Sequence, residues 1–261
     1  MRFIILVGPA GSGKSTLTAE LAEHIESFGP SVARVNYDPA AENLAYAPDV
    51  DIRDYVRVEE FMAKGLGPNG ALVAAVDASI EYVHDIRERL VDINPDYVII
   101  DTPGQLELFA YRVGGPIVVD ALTEGYPSAT VFLMDAMFFE NVAGIVSILT
   151  LASSVAVRLR RPQVNIVSKA DLLVPEVSEE IIPRLGEEGF LTGLIEAEAE
   201  LDPYILTLTK RLSEALQETG FIGELVQVSV RDPSSLDALY AKLQQILASG
   251  EDYKAYDYVA E

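Results

Sequence analysis

Phe3-Ile4-Ile5-Leu6-Val7 runs directly into Gly8-Pro9-Ala10-Gly11-Ser12-Gly13-Lys14-Ser15-Thr16, and helical periodicity continues from Lys14 to Phe28. An apolar strand, a glycine-rich turn and an amphipathic helix, in that order, form the context that a Walker A loop requires. Glycines let backbone N–H groups face a phosphate, and the helix N-terminus adds partial positive charge. Lys14 is placed to reach the β- and γ-phosphates of a nucleotide, and the Ser15 hydroxyl to ligate Mg²⁺. The whole stretch from Gly8 to Thr16 is therefore the candidate phosphate-binding loop.

Working outward, further β-rich apolar runs occur at Ser31 to Asn36, Tyr97 to Ile100, Thr130 to Met134, Gln163 to Val167 and Leu225 to Val230. They are continuous rather than alternating, as expected of strands covered on both faces. Segments with helical periodicity separate them, at Leu72 to Ile93, Val142 to Leu159, Pro203 to Glu218 and Ser234 to Ala248. The expected fold is α/β: a three-layer P-loop NTPase fold whose mostly parallel sheet carries helices on both faces. Its functional residues belong at the carboxyl ends of the strands. Residues 1–261 read as one domain, with an acid-rich helical insertion at about 176–201 that reads as a solvated face.

The chain has 41 acidic and 19 basic residues, a formal net charge of −22, and no cysteine. Such a surface repels nucleic acid phosphates and anionic lipid, so no direct nucleic acid or membrane partner is expected. No apolar run approaches the roughly 20 residues of a membrane span. Disulfides and thiolate metal sites are excluded, and the expected location is the cytoplasm.

Three strand ends carry carboxylates. Asp101 follows Tyr97-Val98-Ile99-Ile100 and opens Asp101-Thr102-Pro103-Gly104-Gln105. This is Walker B placement: Asp101 is a candidate Mg²⁺ ligand through water, Gly104 offers its N–H to a γ-phosphate, and Gln105 can orient an attacking water. Asp38, in Asn36-Tyr37-Asp38-Pro39-Ala40, is a candidate for the Mg²⁺ water or the attacking water, although an aspartate before proline also suits an Asx turn. Asp135 ends the fourth run, where capping a loop and catalysis both remain open.

Base identity turns on Ser168-Lys169-Ala170-Asp171, which resembles the Asn-Lys-x-Asp motif of GTPases with serine in the first position. A carboxylate at Asp171 accepts hydrogen bonds from N1–H and the exocyclic amine of guanine, and the aliphatic stem of Lys169 can cover the base. Ser229 and Val230, at the end of the last run, are candidates for the base edge.

These motifs in this order, together with Gly67-Pro68-Asn69 between the second and third runs, resemble the GPN-loop GTPases of archaea and eukaryotes. By itself the tripeptide is a turn signal. The resemblance covers essentially the whole chain and makes about 60–75 the GPN-loop region. It implies Mg²⁺-dependent GTP hydrolysis by a homodimer that opens and closes, with Gly67, Pro68 and Asn69 of one subunit reaching the γ-phosphate region of the other. Asn69, being neutral, would position water or phosphate more than neutralise charge. The resemblance also points to a protein partner, since eukaryotic relatives are associated with RNA polymerase II assembly and import. The alternatives are an ATP-driven dimeric P-loop ATPase, against which stands the absence of a lysine at Pro9, Ala10 or Gly11, a slow GTP-binding switch for a protein partner, and a small-molecule kinase, for which no basic lid is visible.

Overall fold

The computed structural model describes residues 1–197 and 202–248. Residues 198–201 of the acid-rich insertion and the tail beyond Gly250 lie outside them. The strands are β1 (Arg2–Val7), β2 (Val32–Asn36), β3 (Val50–Asp51), β4 (Tyr97–Asp101), β5 (Ser128–Asp135), β6 (Gln163–Ser168) and β7 (Val226–Val228). The helices are α1 (Lys14–Ser27), α2 (Val58–Ala63), α3 (Pro68–Ala78), α4 (Val83–Ile93), α5 (Leu106–Phe109), α6 (Gly114–Thr123), α7 (Val142–Leu159), α8 (Phe190–Ala197), α9 (Pro203–Glu218) and α10 (Pro233–Leu247).

The strands order β3-β2-β4-β1-β5-β6-β7, and every described pairing is parallel. β1 is central because all five residues from Phe3 to Val7 are fully buried. Phe3, Ile5 and Val7 join the core under α4, α6 and α7, whereas Ile4 and Leu6 meet Leu17, Leu21 and Ile25 of α1 and Leu239 and Leu243 of α10. Each such burial is worth about 1.5–3 kcal/mol, enough for this alternation to hold three layers together. The pairing of β1 with β4, Leu6 opposite Asp101, brings the phosphate loop beside the Asp101 strand end.

Several elements differ from the sequence reading. β3 adds a seventh strand of two residues, too short for periodicity to reveal. The helix expected over Leu72 to Ile93 is broken by a 3₁₀ turn at Ser79–Tyr82. There the Ser79 hydroxyl bonds back to the Val76 carbonyl at 2.7 Å, and the Ser79 carbonyl accepts the Tyr37 hydroxyl at 3.3 Å. A long-range partner has taken over that carbonyl, and the ladder tightens around it. The acid-rich insertion is not merely a solvated face, since Ile182, Leu185, Leu191 and Ile195 are buried in the core shared with α7. The expectation that no apolar run approaches a membrane span has one exception: the 18 residues of α7 are by length and composition apolar enough to cross a bilayer, while Ile145, Ile148, Leu149, Ala152 and Val155 bury in the core.

Candidate nucleotide-binding site

The loop between β1 and α1 is shaped by two glycines. A Cβ on Gly8 would stand 2.7 Å from the Leu133 carbonyl oxygen and 2.9 Å from Ser12 Oγ, so no larger residue fits without displacing β5. Gly8→Ala is expected to destabilise the fold by about 1–3 kcal/mol through this overpacking, read as a lowered thermal midpoint. Gly13, the N-cap of α1, sits at φ 92°, where a side chain is strained, and supplies no side-chain cap to the first-turn N–H groups. The Ser12 hydroxyl is buried without a hydrogen-bond partner. Uncapped amides, an orphan hydroxyl and a buried lysine make a cradle that fits an anion. The Lys14 ammonium donates to the carbonyls of Gly8 and Pro9 at 2.9 and 3.0 Å. Burial pushes its pKa below the ordinary lysine value, against the opposing charges of Asp101 and Asp38.

Asp101 is 2% exposed at the end of β4. Burial raises its pKa, opposed by a hydrogen bond from Ser15, the charge of Lys14 and a hydrogen bond from Tyr46. Ser15 and Asp101 thus present two hard oxygen donors side by side, the donor type that suits Mg²⁺. Among the described residues there is no group of three or more acids or histidines able to hold a metal alone. Gly104 closes on the same loop: a Cβ there would lie 3.4 Å from Ala10 Cα and 3.9 Å from Lys14 Nζ. Asp38 is close enough to act electrostatically on both Lys14 and Asp101. One of its oxygens accepts the Ala40 N–H at 2.9 Å, so it also makes the Asx turn that its position before proline allows.

Two cavities open from this loop. One, of about 600 Å³, is lined by Pro9, Ala10, Gly104 and Gln105 together with Asn69, Val73, Leu106, Tyr111 and Leu151. The other, of about 230 Å³, is lined by Ser12, Gly13, Thr16, Leu17, Leu133, Ser168, Lys169, Asp171, Leu172, Val228, Val230 and Arg231. In the second, Asp171 is held from across the chain, accepting from Ser229 Oγ at 2.9 Å and from Arg231 Nη1 at 3.1 Å. The Lys169 ammonium reaches Asp135 at 2.5 Å, which lays its stem along the cavity. Ser168 borders the cavity, but its hydroxyl donates to the Met134 carbonyl at 3.2 Å. The loop thus stands between the cavity that Gly104 and Gln105 line and a pocket whose far end carries Asp171.

A chain of 33% identity over 250 residues, covering 95% of this chain and 87% of its own, is the GPN-loop GTPase 3 of Dictyostelium discoideum. This chain belongs to the GPN-loop GTPases. The GPN-loop GTPase 3 of Danio rerio is 34% identical over 83% of this chain and 72% of its own. The family described as "Conserved hypothetical ATP binding protein" matches residues 6–249. Among solved structures, a GTPase in apo form from Pyrococcus abyssi superposes with a TM-score of 0.82 at 28% identity, covering 94% of this chain and 97% of that one.

The GPN tripeptide itself is not an isolated turn. Gly67 is the N-cap of α3 in extended conformation, Pro68 occupies the first turn, where its missing N–H costs nothing, and Asn69 follows on an exposed surface. Asn69 lines the larger cavity of its own chain together with Gln105. Two site residues escape sequence reading. Tyr46 donates to Asp101 Oδ2 at 3.2 Å from a loop with no periodic pattern. Arg231 lies two residues beyond Ser229, a weak cue for a cation beside a base-reading carboxylate. Asp135, left open above, caps the turn after β5 through the Met137 N–H at 3.1 Å and anchors Lys169.

Proposed function

We propose that this GPN-loop GTPase binds GTP with Mg²⁺ across the β1–α1 loop and hydrolyses it as one half of a homodimer that meets through the α3 face. GTP hydrolysis is the activity of the family to which the chain belongs. The observation that carries the mechanistic reading is the convergence of Lys14, Ser15, Asp101 and Gly104 on one loop, with Gln105 lining the cavity beside it. Lys14 and the loop amides bind the β- and γ-phosphates. Gln105 orients a water, whose oxygen bonds to the γ-phosphorus as the bond to the bridging oxygen of the leaving GDP breaks; Asp38 receives the proton. Mg²⁺, held by Ser15 and, through water, by Asp101, would supply charge compensation on the phosphate oxygens. Asp171 and Lys169, with Ser229 and Val230 at the edge, read guanine.

The homodimer reading takes its support from Asn69, which is exposed at the mouth of the cavity that holds Gln105, and from the exposed Met62, Leu66, Tyr111, Val113 and Ile117 on neighbouring segments. A second subunit meeting this face would bring its own Asn69 toward the γ-phosphate and cover apolar surface. The protein works in the cytoplasm, away from polyanions, in keeping with its charge of −22. A second reading, ATP hydrolysis by the same dimer, draws on the ATP-binding description of the matching family. Turnover of GTP and ATP with and without EDTA, alongside light scattering with a nonhydrolysable GTP analogue, separates them. The expected result is Mg²⁺-dependent turnover of GTP alone by a dimer. Equal use of ATP sinks the guanine assignment, and a persistent monomer sinks the role of Asn69 in the partner's site.

A further inference from the structure

Helix α3 begins at the Gly67-Pro68-Asn69 tripeptide, spans 11 residues and is therefore roughly 16 Å long. Its far end touches both segments that carry the water-handling candidates. Toward Gln105, Asp77 accepts a bidentate pair from Arg112, Nε to Oδ1 at 3.1 Å and Nη2 to Oδ2 at 2.6 Å. Just beyond, a Cβ on Gly114 would press on Ile80 Cδ1 at 3.1 Å, and one on Gly115 would fall 1.8 Å from the Phe109 carbonyl oxygen. Gly114 thus packs on the turn that follows α3, and Gly115 on the Phe109 carbonyl within its own segment, while Arg112 ties that segment to the last turn of α3. Toward Asp38, the preceding Tyr37 donates its hydroxyl to the Ser79 carbonyl at 3.3 Å, and its ring meets the Phe109 ring at a centroid distance of 6.1 Å.

The same segment is gripped from the other side. Arg158, near the end of α7, donates from Nε to the Ala110 carbonyl at 3.1 Å and from Nη2 to those of Tyr111 and Arg112 at 2.8 and 3.4 Å. A guanidinium spread over three successive carbonyls fixes backbone position, because its planar fork is preorganised for several acceptors at once. The Asp77–Arg112 pair is 41% exposed at both side chains. Exposed pairs add little to folding stability, so its consequence lies in where it holds the backbone.

We propose that Arg158 and the Asp77–Arg112 pair are positioning residues for hydrolysis: they clamp the segment after Gln105 to α7 and to the far end of α3, so that the helix whose first turn carries Asn69 sets the placement of Gln105. This rests on the assignment of Gln105 as the water-orienting residue. None of the three lines either cavity. A displacement at the Asn69 end of α3 would reach the clamped segment along the helix, and the exchange measurements below test that coupling.

The test compares Asp77→Asn, Arg112→Ala, Arg158→Ala and Arg158→Lys, the double exchange Asp77→Arg with Arg112→Asp, and Gln105→Ala in the full-length protein. Loss of either grip is expected to lower kcat for GTP about tenfold while KM and GDP affinity stay within about twofold, since misplacement acts on chemistry rather than binding. Amide exchange across 105–112 should accelerate in the same variants with unchanged thermal midpoints. Lysine at 158 should restore little, lacking the fork, whereas the double exchange should recover much of the rate. Wild-type kcat and exchange in Asp77→Asn, Arg112→Ala and Arg158→Ala, or a loss of nucleotide affinity matching the loss of kcat, overturns the clamp. Gln105→Ala at the wild-type rate overturns the water assignment instead, while the exchange data still report on the clamp.

Discussion

Lys14→Met is expected to reduce single-turnover GTP hydrolysis on the order of 10²–10³-fold, the usual loss when one preorganised charge donor is removed from a transition state, while the nucleotide-free fold survives. Survival follows from two opposing effects at one site. The ammonium satisfies the Gly8 and Pro9 carbonyls, and that stabilises the loop. Its burial, however, lowers its pKa, so carrying the charge inside the fold has a cost that methionine removes. The sign in pH can be checked independently. With the folded pKa depressed, the unfolded chain binds more protons than the folded one in the window between the folded pKa and the ordinary lysine value of 10.5. Stability of the wild type should therefore gain with rising pH across that window, relative to the methionine variant. Thermal melts of both proteins from neutral to alkaline pH provide the difference curve. A difference of opposite slope, or hydrolysis by the variant within a few-fold of wild type, contradicts the role given to Lys14.

The parts of the fold that could be read in advance are those in which local sequence and long-range packing demand the same residues. From Phe3 to Thr16 the strand, the turn and the helix each need what the sequence provides, and Asp101 closes a buried apolar run in the ordinary way. Reading failed where a distant partner decided the local geometry. The expected long helix at Leu72 to Ile93 breaks because a tyrosine 42 residues away takes the Ser79 carbonyl. Gly8 looks like one glycine among several in the loop, yet its necessity comes from the Leu133 carbonyl on another strand. Tyr46 and Arg231 join the candidate site through side-chain contacts 55 and 60 residues distant in sequence, from loops whose path no periodicity constrains. The insertion illustrates the converse. Its acids are conspicuous, while the sparse Ile182, Leu185, Leu191 and Ile195 that seat it in the core are hidden among them.

Asp171→Asn is expected to weaken GTP binding by about 10–100-fold, the 1–3 kcal/mol usual for one bidentate base contact, and to raise affinity for xanthosine triphosphate. The geometry leaves the carboxylate able to serve guanine even though it already has two partners. Ser229 and Arg231 each take one direction on separate oxygens, at 2.9 and 3.1 Å. A carboxylate offers about four acceptor positions, so two remain for N1–H and the exocyclic amine. Adenine presents an acceptor at N1, and facing a carboxylate it would leave both groups unpaired. An amide at 171 replaces one acceptor oxygen with a donor, which suits the 2-oxo group of xanthine and opposes the 2-amino group of guanine. Arg231→Ala should cost much less, since Arg231 is 81% exposed and an exposed pair contributes about 0–1 kcal/mol. Competition of GTP, ATP and xanthosine triphosphate for the two variants and the wild type gives the ranking. If the order of the three nucleotides is unchanged by Asp171→Asn, the base is read elsewhere in the pocket, and Ser229 and Arg231 serve only to close the loop after β7.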